Sequence, residues 1–141
     1  MTRVDFYVTD AAGTLARERL ACRVADKIAK LGHRLHIHVA DKSELDRLDD
    51  LLWTFADAAF LPHARLGTDE DAPITLDTTS APDPAPEVLI NLAGEIPPFF
   101  SRFPRVAEIV SGEAGAREAG REHFRFYRDR GYPLQHHKLQ G

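Results

Sequence analysis

The sequence predicts an α/β fold, a single-domain three-layer sandwich with a mostly parallel sheet. Three observations predict it. Short runs rich in β-formers alternate with longer segments of helical periodicity, the pattern of β-α-β units. One run, "VLINLA" (Val88 to Ala93), is continuously apolar, as a strand covered on both faces must be. The chain has 141 residues, 43% of them hydrophobic and 8 of them phenylalanine, enough for one buried core and short for two.

The elements follow in order. "RVDFYVT" (Arg3 to Thr9) alternates and reads as the first strand. Asp10, Gly13 and Thr14 supply turn and cap chemistry before a helix with Leu15, Leu20, Val24, Ile28 and Leu31 on one stripe, which Gly32 ends. "HRLHIHVA" (His33 to Ala40) is the second strand. "DKSELDRLDDLLWTFA" opens with acids and Ser43 as helix-start residues and lines up Leu45, Leu48, Leu52 and Phe55, with Trp53 a little off that side. "DAAFLPHARLGTDEDAP" reads as a loop with an exposed apolar knuckle at Phe60 and Leu61. "ITLDT" is a candidate short strand, and "SAPDPAPE" (Ser80 to Glu87) a proline-rich surface loop. After "VLINLA" come a helical turn at "PPFFSRF", a strand at "RVAEIV" and a final helix from about Glu113 to Arg130, closed by Gly131. Residues from about 135 to 141 are expected to form a flexible tail, His136 and His137 within it.

Several chemistries lack their signatures. The first strand-to-helix junction, "VTDAAGTLARE", has neither G-x-G-x-x-G nor G-x-x-x-x-G-K-[ST], so the fold is expected to be Rossmann-like without a phosphate-binding loop and without a cofactor. His36 and His38 alternate on one side of their strand with His33 nearby, but no carboxylate or cysteine stands in sequence reach, and surface strand residues are the simpler reading than a metal pair. No serine sits in a nucleophile elbow, Asp49 and Asp50 point apart on their helix, and Cys22, the only cysteine, falls near a buried stripe. No catalytic constellation emerges. A single thiol, no signal peptide in "MTRVDFYVTD" and no run of eighteen apolar residues suit a cytoplasmic protein that does not enter a membrane.

Charge is polarised. Residues 117 to 141 carry six Lys/Arg and three acids, a local +3, which leaves −7 on residues 1 to 116 of a chain whose net charge is −4. A dispersed nucleic-acid binder is usually basic throughout, so a localised acidic partner fits better. At about 100° per residue, Arg117, Arg121, Phe124, Arg125 and Arg128 fall within roughly a third of the last helix's circumference. Ala116, Ala119, His123, Phe126 and Tyr127 form the opposite, core-facing stripe. The arginine face therefore looks outward with a phenylalanine in its middle. That pattern suits an acidic peptide with an aromatic residue and a free carboxylate, the guanidinium forks taking the carboxylate and the ring an apolar gap.

Five segments, "VDFYVTD", "LACRVADKIAKLGHRLHIHVAD", "LDDLLWTFADAAFLPHARLG", "EVLINLAGEIPPFF" and "REHFRFYRDRGYPL", together resemble the chi-subunit family of bacterial DNA polymerase III holoenzymes over nearly the whole chain. The resemblance implies a noncatalytic component of the clamp-loader assembly, with no nucleotide site, that links the polymerase machinery to single-stranded-DNA-binding protein by gripping that protein's acidic, aromatic-ended C-terminal tail. By motif position it implies Arg117, Arg121 and Phe124 as tail-binding residues, with Arg125 and Arg128 in electrostatic support. It also implies an apolar surface for the psi subunit, with Leu52, Trp53, Phe60 and Leu61 as candidates. The chain departs from some members by ending "QHHKLQG", without an aromatic residue near the terminus. A rival reading is direct binding of single-stranded nucleic acid, arginines on phosphates and Phe124 stacked on a base; in the leading one DNA is met mainly through its coating protein.

Overall fold

A computed structural model describes residues 1–56 and 61–139. The elements are β1 (Arg3–Thr9), α1 (Thr14–Lys30), β2 (Leu35–His38), α2 (Lys42–Thr54), β3 (His63–Arg65), β4 (Ile74–Asp77), β5 (Val88–Asn91), β6 (Arg105–Val110), α3 (Ala114–Asp129) and β7 (Leu134–Leu139), with a 3-10 turn at Phe100–Arg102. Among the described residues seven strands form one open sheet in the order β3-β4-β2-β5-β6-β1-β7, every neighbouring pair parallel.

Alternation along the strands gives the sheet two apolar faces, each covered. On one side Leu35, Ile37, Ile74, Leu76, Val88, Ile90 and Ile109 pack with Leu20, Val24 and Ile28 of α1 and Leu45, Leu48 and Leu52 of α2. On the other, Val4, Phe6, Leu89, Val106 and Val110 pack with Tyr127 of α3 and with Phe99, Phe100 and Phe103 around the 3-10 turn. Helices on both faces of a parallel sheet give the three layers that the alternating sequence predicts.

Local chemistry sets the helix ends. Of the candidate start residues for α2, Asp41 does the capping: its side chain accepts from Glu44 N at 2.9 Å, while Glu44 Oε1 accepts from Ala40 N at 2.9 Å. Gly131 follows α3 with φ at 80°, a left-handed conformation that costs glycine little.

Several expectations are corrected by long-range packing. Leu15 and Leu31 are 56% and 64% exposed, because one lies in the first turn of α1 and the other just past its end. The segment read as a plain loop contains β3, which pairs with β4. Leu134–Leu139 form the edge strand β7 alongside β1 where a tail was expected from about residue 135. His36 and His38 are buried, not surface residues, since the Ser80 segment and Phe99 cover their face. Both ring nitrogens of His36 are occupied, Nδ1 at 2.6 Å from Thr75 Oγ1 and Nε2 at 2.9 Å from the Ser80 carbonyl. Burial pushes its pKa down to about 4, so the ring is a neutral core group. Cys22 is fully buried, and burial with help from Glu18 pushes its thiol up to about 12. No described helix is long and apolar enough to cross a membrane.

Candidate functional site

The surface between α3 and β7 is a groove because parallel pairing brings β7 beside β1 while α3 lies over β6. In register, Phe6 faces His136 and Val8 faces Lys138, so alternate side chains of the edge strand line one bank. Arg117, Arg121, Phe124, Arg125 and Arg128 line the other, about one helical turn or less apart. Phe6, Val8, Val110 and Gly120 form an apolar floor, and Asp10 stands at the end of β1. The open groove has a volume of about 530 Å³.

All five residues singled out from the helix face thus share one concavity. Phe124 sits lower than the outward-facing position expected of it. It is half-buried, its ring 5.7 Å from that of Phe6 in an edge-to-face contact and 5.1 Å from that of His136. His136 stacks flat on Phe6, with ring centroids 5.4 Å apart and an angle of 17° between planes. Rings from α3, β1 and β7 therefore make an aromatic notch within a row of cations. Gly120 keeps the floor open: a Cβ there would come within 3.0 Å of the Val110 side chain.

The guanidinium groups are engaged lightly. Arg117 pairs with Asp10 at 3.2 Å, Arg121 with Glu118 at 2.8 Å and Arg128 with Asp129 at 3.1 Å, and all six side chains are about half exposed or more. Hydrogen bonding to Arg121 lowers the pKa of Glu118. Arg125 makes no hydrogen bond or ion pair among the described residues. Exposed pairs of this kind are worth about 0.2–1 kcal/mol each, so an incoming carboxylate can replace them.

Sequence reasoning missed Asp10, His136 and Lys138, because nothing in a linear pattern says that the C-terminal residues return beside β1.

The second candidate cluster is only partly at the surface. Leu52 is fully buried and Leu61 is 6% exposed; both belong to the core, joined by a hydrogen bond from Leu61 N to Leu52 O at 3.4 Å. They expose almost nothing to a partner, because Leu52 continues the inward stripe of Leu45 and Leu48. Trp53, next along α2, is 43% exposed, with its ring 4.3 Å from that of His63. His63 is held at Nδ1 by Leu61 O and at Nε2 by Asp49, and Arg65 bridges Asp49 and Asp46 at 3.0 and 2.8 Å, a scaffold beneath the tryptophan. Phe60 lies outside the described residues.

Comparison with known proteins is consistent across the chain. The family described as DNA polymerase III chi subunit, HolC, matches residues 1–135. A relative from Pseudomonas aeruginosa, DNA polymerase III subunit chi, is 45% identical over 139 residues, covering 99% of this chain and 98% of the relative. Proteins of the same name from Escherichia coli and Haemophilus influenzae are 28% and 27% identical, over 95% and 92% of this chain and 96% and 92% of their own lengths. With that extent of match, the chain belongs to the DNA polymerase III chi-subunit family.

Proposed function

We propose that this protein is a noncatalytic replication adaptor of the DNA polymerase III clamp-loader assembly. Its α3–β7 groove captures the acidic, aromatic-ended C-terminal tail of single-stranded-DNA-binding protein and so links that protein to the holoenzyme. One observation carries the reading: Arg117, Arg121, Phe124, Arg125 and Arg128 line a single groove whose cations surround an aromatic notch. Guanidinium forks suit carboxylates, and the notch suits one aromatic side chain. The exposed face around Trp53 is proposed as the contact for a psi subunit, without Leu52 or Leu61 in direct contact.

Magnitudes favour a transient grip. Burying one phenylalanine-sized group gives roughly 1.5–3 kcal/mol, a charge-assisted carboxylate contact roughly 1.5–3, and each further exposed pair about 0.2–1. Association entropy removes part of this, so binding is at best about −8 kcal/mol, in the micromolar range. The test is a titration of a labelled acidic peptide ending in phenylalanine, at two salt concentrations, beside a C-terminally amidated peptide and a naked single-stranded oligonucleotide. Salt-sensitive binding that favours the free carboxylate supports the adaptor. Tight binding of the oligonucleotide with none of the peptide would transfer the groove to nucleic acid.

A further inference from the structure

The groove contains a carboxylate of its own. Among the described residues that line it, Asp10 is the single acid against five Lys/Arg side chains. Its backbone is fixed. Gly112 N donates to Ala11 O at 2.9 Å, and a Cβ at Gly112 would stand 2.1 Å from the Asp10 carbonyl oxygen, so the end of β1 is pressed against the approach to α3. From that anchored position the side chain touches both banks, Oδ1 lying 3.2 Å from Arg117 Nη2 and Oδ2 3.2 Å from Lys138 Nζ.

A carboxylate held by one cation from each wall, yet 67% exposed, has the geometry of a ligand group in place. An acidic peptide entering this end must meet the same two cations. It must also approach the Asp10 charge, which repels it at close range. Because exposed pairs are weak, the resident carboxylate is displaceable. We propose that Asp10 is an internal competitor: it occupies Arg117 and Lys138 in the empty groove and yields them only to a sufficiently acidic segment, which sets the acidity a partner must carry to bind. The inference rests on the groove being the seat of an acidic peptide. It gives that site a selectivity residue inside the groove, whereas Glu118 and Asp129, the carboxylates that pair with Arg121 and Arg128, stand outside its lining.

The contrary possibility is that Asp10 organises Arg117 and Lys138 for the ligand, and the two differ in sign. Asp10→Asn in the full chain should bind a labelled acidic peptide ending in phenylalanine roughly two- to tenfold more tightly. Its salt dependence should be steeper than wild type, one competing negative charge having been removed. Lys138→Gln should weaken binding more in the Asp10→Asn background than in wild type, where Lys138 is already engaged. Asp10→Ser supplies a second neutral variant should Asn fold poorly. Unchanged or weaker binding by the neutral variants, or an equal effect of Lys138→Gln in both backgrounds, overturns the competitor while leaving peptide capture intact. No binding by the wild-type protein overturns the groove reading itself, and the competitor with it.

Discussion

His123 of α3 lies 2.8 Å through Nδ1 from Glu108 Oε1 of β6, and this buried pair fastens the arginine-bearing helix to the middle of the sheet. The other ring nitrogen is 2.9 Å from the Gly94 carbonyl. With an oxygen acceptor at each nitrogen, the ring is fully satisfied only as an imidazolium. Tyr127 Oη and Asn91 Nδ2 donate to Glu108 Oε2 at 2.8 and 3.0 Å, so one carboxylate gathers α3, β5 and β6. The position of the groove's helical bank depends on that gathering.

The pair makes stability fall on the alkaline side. Burial, the largest single influence on His123, pushes its pKa down, but the hydrogen bond and charge of Glu108 outweigh it and leave the pKa raised above 6.5. A base with a raised folded pKa stabilises fully below the unfolded value, and the contribution is lost as pH rises through the folded one. Melting temperature should therefore decline from pH 6.5 upward in wild type and stay flatter in His123→Gln. Glu108→Ala should cost about 3–5 kcal/mol in denaturant unfolding at neutral pH, since it leaves the His123 ring, the Tyr127 hydroxyl and the Asn91 amide without their shared buried acceptor.

His36 acts on the acid side. With a folded pKa of about 4 against 6.5 in the open chain, it takes up a proton on unfolding between those values, so stability should drop as pH falls from 6.5 towards 4. The integrated loss is about 3 kcal/mol. Urea midpoints measured across this interval should fall less steeply for His36→Gln than for wild type, whatever that variant costs at pH 7.

Arg121 and Phe124 should separate binding from stability. Arg121→Ala removes only an exposed pair with Glu118 and should change unfolding free energy by less than about 0.5 kcal/mol while weakening acidic-peptide binding tenfold or more. Phe124→Ala should weaken binding comparably and also cost about 1–2 kcal/mol of stability, because that ring is partly buried against Phe6 and His136. Fluorescence anisotropy and chemical unfolding on the same samples check both.

Trp53, the only tryptophan, should report on its own surface. At 43% exposure it should emit as a water-accessible indole and be readily quenched by acrylamide, and a partner that covers it should shift the emission to the blue and protect it. Trp53→Ala should alter stability by no more than about 1 kcal/mol, while Leu52→Ala in the adjacent core position should cost about 2–5.

What the sequence by itself determined was whatever depends on local periodicity. The 3.6-residue repeat places Arg117, Arg121, Phe124, Arg125 and Arg128 on one face of α3 wherever that helix packs, and continuous apolar runs mark β5 as buried on both sides. Helix stops at Gly32 and Gly131 were equally legible, being written in single residues. Only the tertiary structure decided what covers each face. His36 and His38 became core because Phe99 and the Ser80 segment fold over them, and Leu52 left the surface because α2 turns it inward. The groove's second bank exists because residues 134–139 pair with residues 4–9, a contact more than 100 residues apart in the chain. Its backbone hydrogen bonds are common to every sequence, and the side-chain contacts that accompany them, His136 on Phe6 and His137 on Tyr7, join opposite ends of the chain, so no local pattern encodes it; register with β1 then brings His136, Lys138 and Asp10 to the arginines.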